Sequence, residues 1–161
     1  MPTAIHPPSA ALLIIDVQVN VVAEAYERDA TIANINTALA RARAAGAPVL
    51  VPLDSELRVH KAYGDAFEDT DLEAQLDAAG VRTLVVCGAQ TDFCVRSTIH
   101  SGLTRGFSVT LLGDAHTTDD LSGYGAPTPN RVVKHTNMYW AGQRAPGRKA
   151  AVVDAGEVEF V

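Results

Sequence analysis

The sequence predicts an α/β protein, a three-layer αβα sandwich built on a mostly parallel central sheet with Rossmann-like topology. Two observations carry this. Short, almost continuous apolar runs alternate with helix-length segments of 3.6-residue periodicity, and glycines stand where those helices must stop. Strands without polar alternation are those covered on both faces, so the crossovers must place helices above and below a parallel sheet.

The first strand is Ala11 to Asp16, an apolar run closed by a carboxylate. Ala30 to Ala45 carries Ile32, Ile35, Leu39 and Ala42 at helical spacing, and Gly46 ends that helix. Ala47 to Pro52 gives the second strand, and the polar stretch from Asp54 to Phe67 a connection. Thr70 is placed to cap a short helix through Leu72, Leu76 and Ala79, with Glu73 completing a capping box. Val81 to Cys87 is the third strand, Asp92 to Thr104 a helix through Val95, Thr98, Ile99 and Leu103, and Phe107 to Leu112 the fourth strand. Beyond residue 121 the pattern weakens. A Pro/Gly loop precedes a helix over Asn130 to Trp140, and Ala150 to Val153 and Val158 to Val161 are expected as edge strands.

A length of 161 residues suits one domain over 1–161, with its core in about 10–120 and a C-terminal helix and edge strands in 121–161. The chain is 47% apolar and 20% charged, as in well-packed globular proteins. No run approaches the ~18 apolar residues of a membrane span, so no membrane association is expected. A net charge of −6 without a long basic cluster argues against nucleic acid as a partner. The N-terminal MPTAIHPPSA has no basic leader, which points to a cytoplasmic setting. Two cysteines, Cys87 and Cys94, fit neither a disulfide framework nor a zinc site.

Ligands of open α/β sheets bind beyond the carboxyl ends of the strands, where the strand order reverses. Asp16 and the segment GAQTDFC, residues 88–94, fall on that edge. Cys94 lies just inside a helix that Thr91 or Asp92 would cap, where helix N–H groups favour a thiolate. Cys87, within TLVVCG, reads instead as a buried core thiol. A carboxylate closing an apolar strand must be held by partners or move a proton, and Asp16 is so placed. On pattern alone Lys61 reads as a solvated lysine that could pair with Asp16. His6, His60, His100, His116 and His135 show no spacing that compels a triad, although His116 shares the ligand edge.

LLIIDVQ, HKAYGDAFEDTDLEAQL, VVCGAQTDFCVRSTIHSGLTRGF and VTLLGDAHTT together resemble the isochorismatase-like cysteine hydrolase superfamily, which includes nicotinamidases and N-carbamoylsarcosine amidohydrolases. The resemblance runs from about residue 10 to 120 and implies a triad of Asp16 as general base and acid, Lys61 as electrostatic partner and Cys94 as nucleophile. It further implies a cis peptide at Ala89–Gln90, with the Gln90 and Cys94 amides as oxyanion hole. Gln18, Tyr63, Phe67 and Phe93 are then the candidates for the substrate pocket. The expected reaction is hydrolysis of a small carboxamide or ureido compound through a thioester. Two other readings stay open: vinyl-ether hydrolysis of isochorismate using Asp16 and Lys61, and a catalytically silent oligomeric or binding protein.

Two departures from the family pattern matter. Only Pro52 to His60 separate the second strand from Lys61, where relatives commonly carry a longer loop, and Asp54-Ser55-Glu56 offers no Asp-x-His metal pair. No metal and no cofactor are therefore expected, and the pocket should be open or completed by a partner copy. The stretch GDAFEDTDLEAQL is also more acidic than its nicotinamidase counterparts. Members are usually dimers or larger, so a homo-oligomer is expected, with Met138, Tyr139 and Trp140 as contact candidates or as core.

Overall fold

The computed structural model of the chain describes residues 9–50 and 61–161. Six strands form one sheet in the order β2-β1-β3-β4-β6-β5: β1 Ala10–Ile15, β2 Val49–Leu50, β3 Thr83–Ala89, β4 Ser108–Thr117, β5 Arg144–Ala145 and β6 Arg148–Val153. All neighbours pair in parallel except β5 and β6, which form a short antiparallel hairpin. The helices are α1 Val19–Val22, α2 Arg28–Ala44, α3 Leu72–Ala78, α4 Arg96–Thr104 and α5 Pro129–Ala141.

Period-two alternation within the strands divides the apolar side chains between two cores. Ala11, Leu13 and Ile15 of β1 and Leu84 and Val86 of β3 face one side, with Leu72 and Leu76 of α3, Ile99 and Leu103 of α4 and Trp140 of α5. Ala10, Leu12, Val85 and Cys87 face the other, against Ile35, Ala38 and Ala42 of α2 and Val158 and Phe160 of the C-terminal segment. These layers are the three-layer αβα architecture the sequence predicts.

Several expectations are corrected. Residues 158–161 form no strand: they lie along the α2 core, and the Ser9 N–H donates to the Val161 carbonyl at 3.0 Å. β4 continues past Leu112 to Thr117, which brings His116 into the sheet. No capping box forms at α3. Asp71 is the N-cap, Thr70 Oγ1 donates to the Ala66 carbonyl at 2.7 Å, and Glu73 instead accepts from Arg105 at 2.5 Å. Trp140 is fully buried with its indole N–H on the Val109 carbonyl, so it is core and cannot form a contact between copies. The end of the second strand, the connection through Asp54-Ser55-Glu56, His60 and His6 lie outside the described residues.

The chain runs from β1 outward to β2 and returns across β1 to β3, so the strand order reverses between β1 and β3. Close pairing there depends on one glycine. Gly88 stands opposite Ile15 with φ +117°, and a Cβ on it would lie 2.1 Å from the Ile15 carbonyl oxygen. Only glycine fits that approach. Gly88→Ala should cost roughly 3–5 kcal/mol from overpacking and backbone strain, lowering Tm by about 10 °C or more. A thermal melt shifted by less than a few degrees would contradict this account of the β1–β3 junction.

Candidate active site

Ile14 pairs with Cys87 and Ile15 with Gly88, so β1 and β3 end level and deliver Asp16 and the 88–94 segment to one place. Asp16 takes a positive φ of 43°, turning the chain away from the strand. The Gln18 N–H closes that turn on the Asp16 carbonyl at 2.9 Å. The Ala89–Gln90 peptide is cis. After it the chain enters a π-helical turn, Thr91–Val95, that runs directly into α4.

Neither Thr91 nor Asp92 caps this helix, contrary to the expectation. Gln90 is the N-cap, and both side chains are engaged elsewhere. Asp92 Oδ1 accepts from the Thr118 hydroxyl at 2.7 Å. Thr91 meets His116 Nδ1 at 2.8 Å, His116 Nε2 meets Asn137 Oδ1 at 2.8 Å, and Asn137 Nδ2 donates to the Gly113 carbonyl at 2.9 Å. That last bond orients the amide, so His116 carries its proton on Nε2 and accepts the Thr91 hydroxyl on Nδ1. Burial holds the His116 pKa below the ordinary histidine value. His116 is thus a neutral strut that fixes the turn carrying Cys94, and it makes no contact with the thiol.

Lys61 reaches the same place from the other side. Its ammonium lies 2.7 Å from Asp16 Oδ2, both side chains being largely enclosed, and it also donates to the Tyr63 carbonyl at 3.0 Å. The segment after it is pinned to α4: the Ala66 N–H donates to Thr98 Oγ1 at 3.0 Å, and Asp65 Oδ1 accepts from the Phe67 N–H at 2.9 Å. Gly64 passes over the nucleophile position, where a Cβ on it would lie 4.0 Å from Cys94 Sγ.

The thiol of Cys94, partly buried, interacts with both the Asp16 carboxylate and the Lys61 ammonium. Its pKa is raised, first by burial and then by the hydrogen bond and charge of Asp16, against a smaller opposing pull from Lys61. The expectation of a thiolate favoured by the helix start is therefore corrected. Burial and the neighbouring Asp16 favour the thiol over the thiolate at Cys94. Cys87 is fully buried, and burial pushes its thiol up as well, in keeping with its reading as core.

Of the pocket candidates, Tyr63 and Phe93 are exposed aromatics bordering this cluster, at 56% and 49% accessibility, and Gln18 is exposed at the head of α1. Phe67 is not a pocket wall. It is buried, stacked on Phe107 with centroids 5.9 Å apart, and covered by the Arg105 guanidinium. Sequence reasoning missed Asp119, whose Oδ2 accepts from Gln90 Nε2 at 2.6 Å, and the supports Thr98 and Asn137. Thr98 lies within a quoted motif but reads there only as part of the helix pattern, and Asp119 and Asn137 stand in no motif; only the fold brings the three to the site. Among the described residues no group of three or more His, Cys, Asp or Glu could hold a metal ion, and no helix is long and apolar enough to cross a membrane.

A carboxylate, an ammonium and a thiol brought together at the switch point of a doubly covered parallel sheet define the class: an α/β protein whose ligand edge carries a cysteine beside a paired acid and cation. The isochorismatase domain family matches residues 47–126. Streptothricin hydrolase of Streptomyces noursei is 35% identical over 180 aligned positions that include 94% of this chain and 64% of that protein. The ureidoacrylate amidohydrolase of Caulobacter vibrioides is 36% identical over 66 residues, 41% of this chain and 29% of that one. Among solved structures, an isochorismatase-type protein of Burkholderia xenovorans LB400 superposes with a TM-score of 0.80 at 28% identity, covering 94% of this chain and 86% of that one. The isochorismatase of Pseudomonas putida KT2440 shares the fold, with a TM-score of 0.80 at 24% identity over 93% and 90% of the two chains. The chain belongs to the isochorismatase-like hydrolase superfamily. It spans less than two thirds of the length of the streptothricin hydrolases it matches.

Proposed function

We propose that the protein hydrolyses a C–N bond in a small carboxamide or ureido compound, with Cys94 as nucleophile. The observation that carries this reading is the convergence of Asp16, Lys61 and the Cys94 thiol, with the 2.7 Å ion pair at its centre. The kinds of relative support it: one is named for streptothricin, another for ureidoacrylate.

A thiol whose pKa is raised by its neighbours is a weak nucleophile at rest and needs a base in contact with it. Asp16 is that base. It takes the Sγ proton as sulfur attacks the carbonyl carbon, and the carbonyl oxygen becomes an oxyanion. Among the described residues the Gln90 N–H has no hydrogen-bond partner on the backbone, and with the Cys94 N–H it is the donor we assign to that oxygen. Collapse expels the amine, protonated by Asp16, and leaves an acyl group on Cys94. A water molecule, deprotonated by Asp16, attacks the thioester; the acid departs and the proton returns to sulfur. Lys61 orients Asp16 through their 2.7 Å ion pair, while Tyr63 and Phe93 border the approach.

The test is direct detection of the acyl-enzyme. Purified protein is mixed with a panel of primary amides, lactams and ureido acids, quenched in acid within the first turnover, and digested. The expected result is the acyl mass on the Cys94 peptide, together with release of one ammonia or amine per substrate. Turnover of a panel member without any adduct on Cys94 would refute covalent catalysis.

A further inference from the structure

α4 and α5 both start at the carboxyl edge of the sheet, and a cavity of about 650 Å³ opens between them. Each helix lines it with side chains four residues apart, which stack on one helical face. Asp92, Arg96 and His100 come from α4 and the turn before it; Arg131, His135 and Tyr139 come from α5. The cavity is not the site described above. Cys94 meets Asp16 and Lys61 on the β1 side, whereas Asp92 turns toward Thr118 beyond the end of β4.

Its chemistry is unusual for a chain of net charge −6. Arg96 and Arg131 bring two guanidinium groups to one cavity, and neither forms a hydrogen bond or ion pair among the described residues. Asp92 is the one acid on the lining, so a positive charge is left without a counter-charge. The walls between the arginines are flat and apolar. His100 stacks on Tyr139 with centroids 5.7 Å apart, His135 meets Tyr139 edge-on at 5.5 Å, and Val132 and Pro127 complete the surface. The Tyr139 hydroxyl, enclosed beside Thr136, has no hydrogen bond of normal geometry among the described residues.

From this geometry we infer that the α4–α5 groove is a binding site for a small organic monocarboxylate with a flat or alicyclic apolar body, its carboxylate held by Arg96 and Arg131. A planar guanidinium pairs with a carboxylate through two parallel N–H bonds, and one net positive charge matches one carboxylate. The ring-lined wall takes the apolar body, and the Tyr139 hydroxyl supplies one more donor.

The protein reports on this groove by itself. Trp140 is the sole tryptophan, buried next to Tyr139 in sequence and edge-on to His100 at 5.1 Å. Titration with cyclohexanecarboxylate at constant ionic strength should give a saturable change in tryptophan emission, and the neutral cyclohexylmethanol should give none at the same concentrations. Arg96→Gln and Arg131→Gln, at exposed positions that leave the fold intact by circular dichroism, should each weaken binding about tenfold or more. Lys61→Gln should leave it unchanged. The inference is overturned if emission does not saturate, if alcohol and acid act alike, or if binding survives both arginine changes and is lost in Lys61→Gln. That last pattern would place the anion at the Cys94 cluster.

Discussion

Asp16→Asn should yield a protein whose Cys94 is alkylated faster than in the wild type at neutral pH and which no longer turns over substrate. The sign follows from what surrounds the sulfur. Burial, the Asp16 hydrogen bond and the Asp16 charge all hold the thiol protonated, and Lys61 alone works against them. The change to asparagine removes the carboxylate's charge and its hold on the thiol proton while leaving Lys61 in place, so the Cys94 pKa falls. The pH profile of iodoacetamide alkylation should move to lower pH. At pH 7 the gain should be roughly threefold for each tenfold gain in thiolate, because intrinsic nucleophilicity falls with pKa. Hydrolysis moves the other way. Without a group to return the proton to the leaving nitrogen or to activate water, turnover should drop by about 10²–10⁴. An alkylation profile displaced to higher pH would mean that Asp16 does not act on the sulfur. Wild-type Cys94 is accordingly not expected to be hyper-reactive toward alkylating agents, since the base that activates it during catalysis is what keeps it protonated at rest.

Cys94→Ala carries the second large effect. Loss of the nucleophile in a concerted acid–base–nucleophile site removes most of the rate; about 10³-fold or more is expected here, with no acyl adduct in the quench experiment. The fold should survive, because Cys94 is only partly buried and packs at the margin of the core rather than within it. A stability loss of about 1 kcal/mol or less is expected, visible as a Tm change of a few degrees at most. If the variant kept most of its activity, covalent catalysis would be excluded, and a mechanism using Asp16 and Lys61 alone, as for an isochorismate vinyl ether, would account better for the site.

Asp16, Lys61 and Cys94 were all legible in the sequence, but for different reasons. Asp16 is conspicuous because a charge closing an apolar strand is costly unless it is held or used. Cys94 stands out by its place, in a polar turn after a buried strand. Lys61 carries no such signal and came only from resemblance, since a lysine in a polar connection looks solvated until the Ala66–Thr98 bond and the buried Phe67 carry its segment to α4. Phe67 itself was misread because an aromatic beside a motif looks the same in sequence whether it faces the pocket or the core.

The sequence by itself determined the alternation of the four main strands with helices, the two-sided burial of the sheet, and the edge on which Asp16 and Cys94 lie. Each of these rests on local periodicity and on glycine as a helix stop, which need no knowledge of distant neighbours. Tertiary structure alone decided that burial and Asp16 raise the Cys94 pKa, that His116 is a strut, that Trp140 is core, and that two arginines on different helices share one cavity. All of these depend on groups many residues apart becoming neighbours in space, such as Asp16 with Cys94 and Arg96 with Arg131. Charge, burial and hydrogen bonding act over a few ångströms, and the distance between residues along the chain does not reveal which groups will come that close.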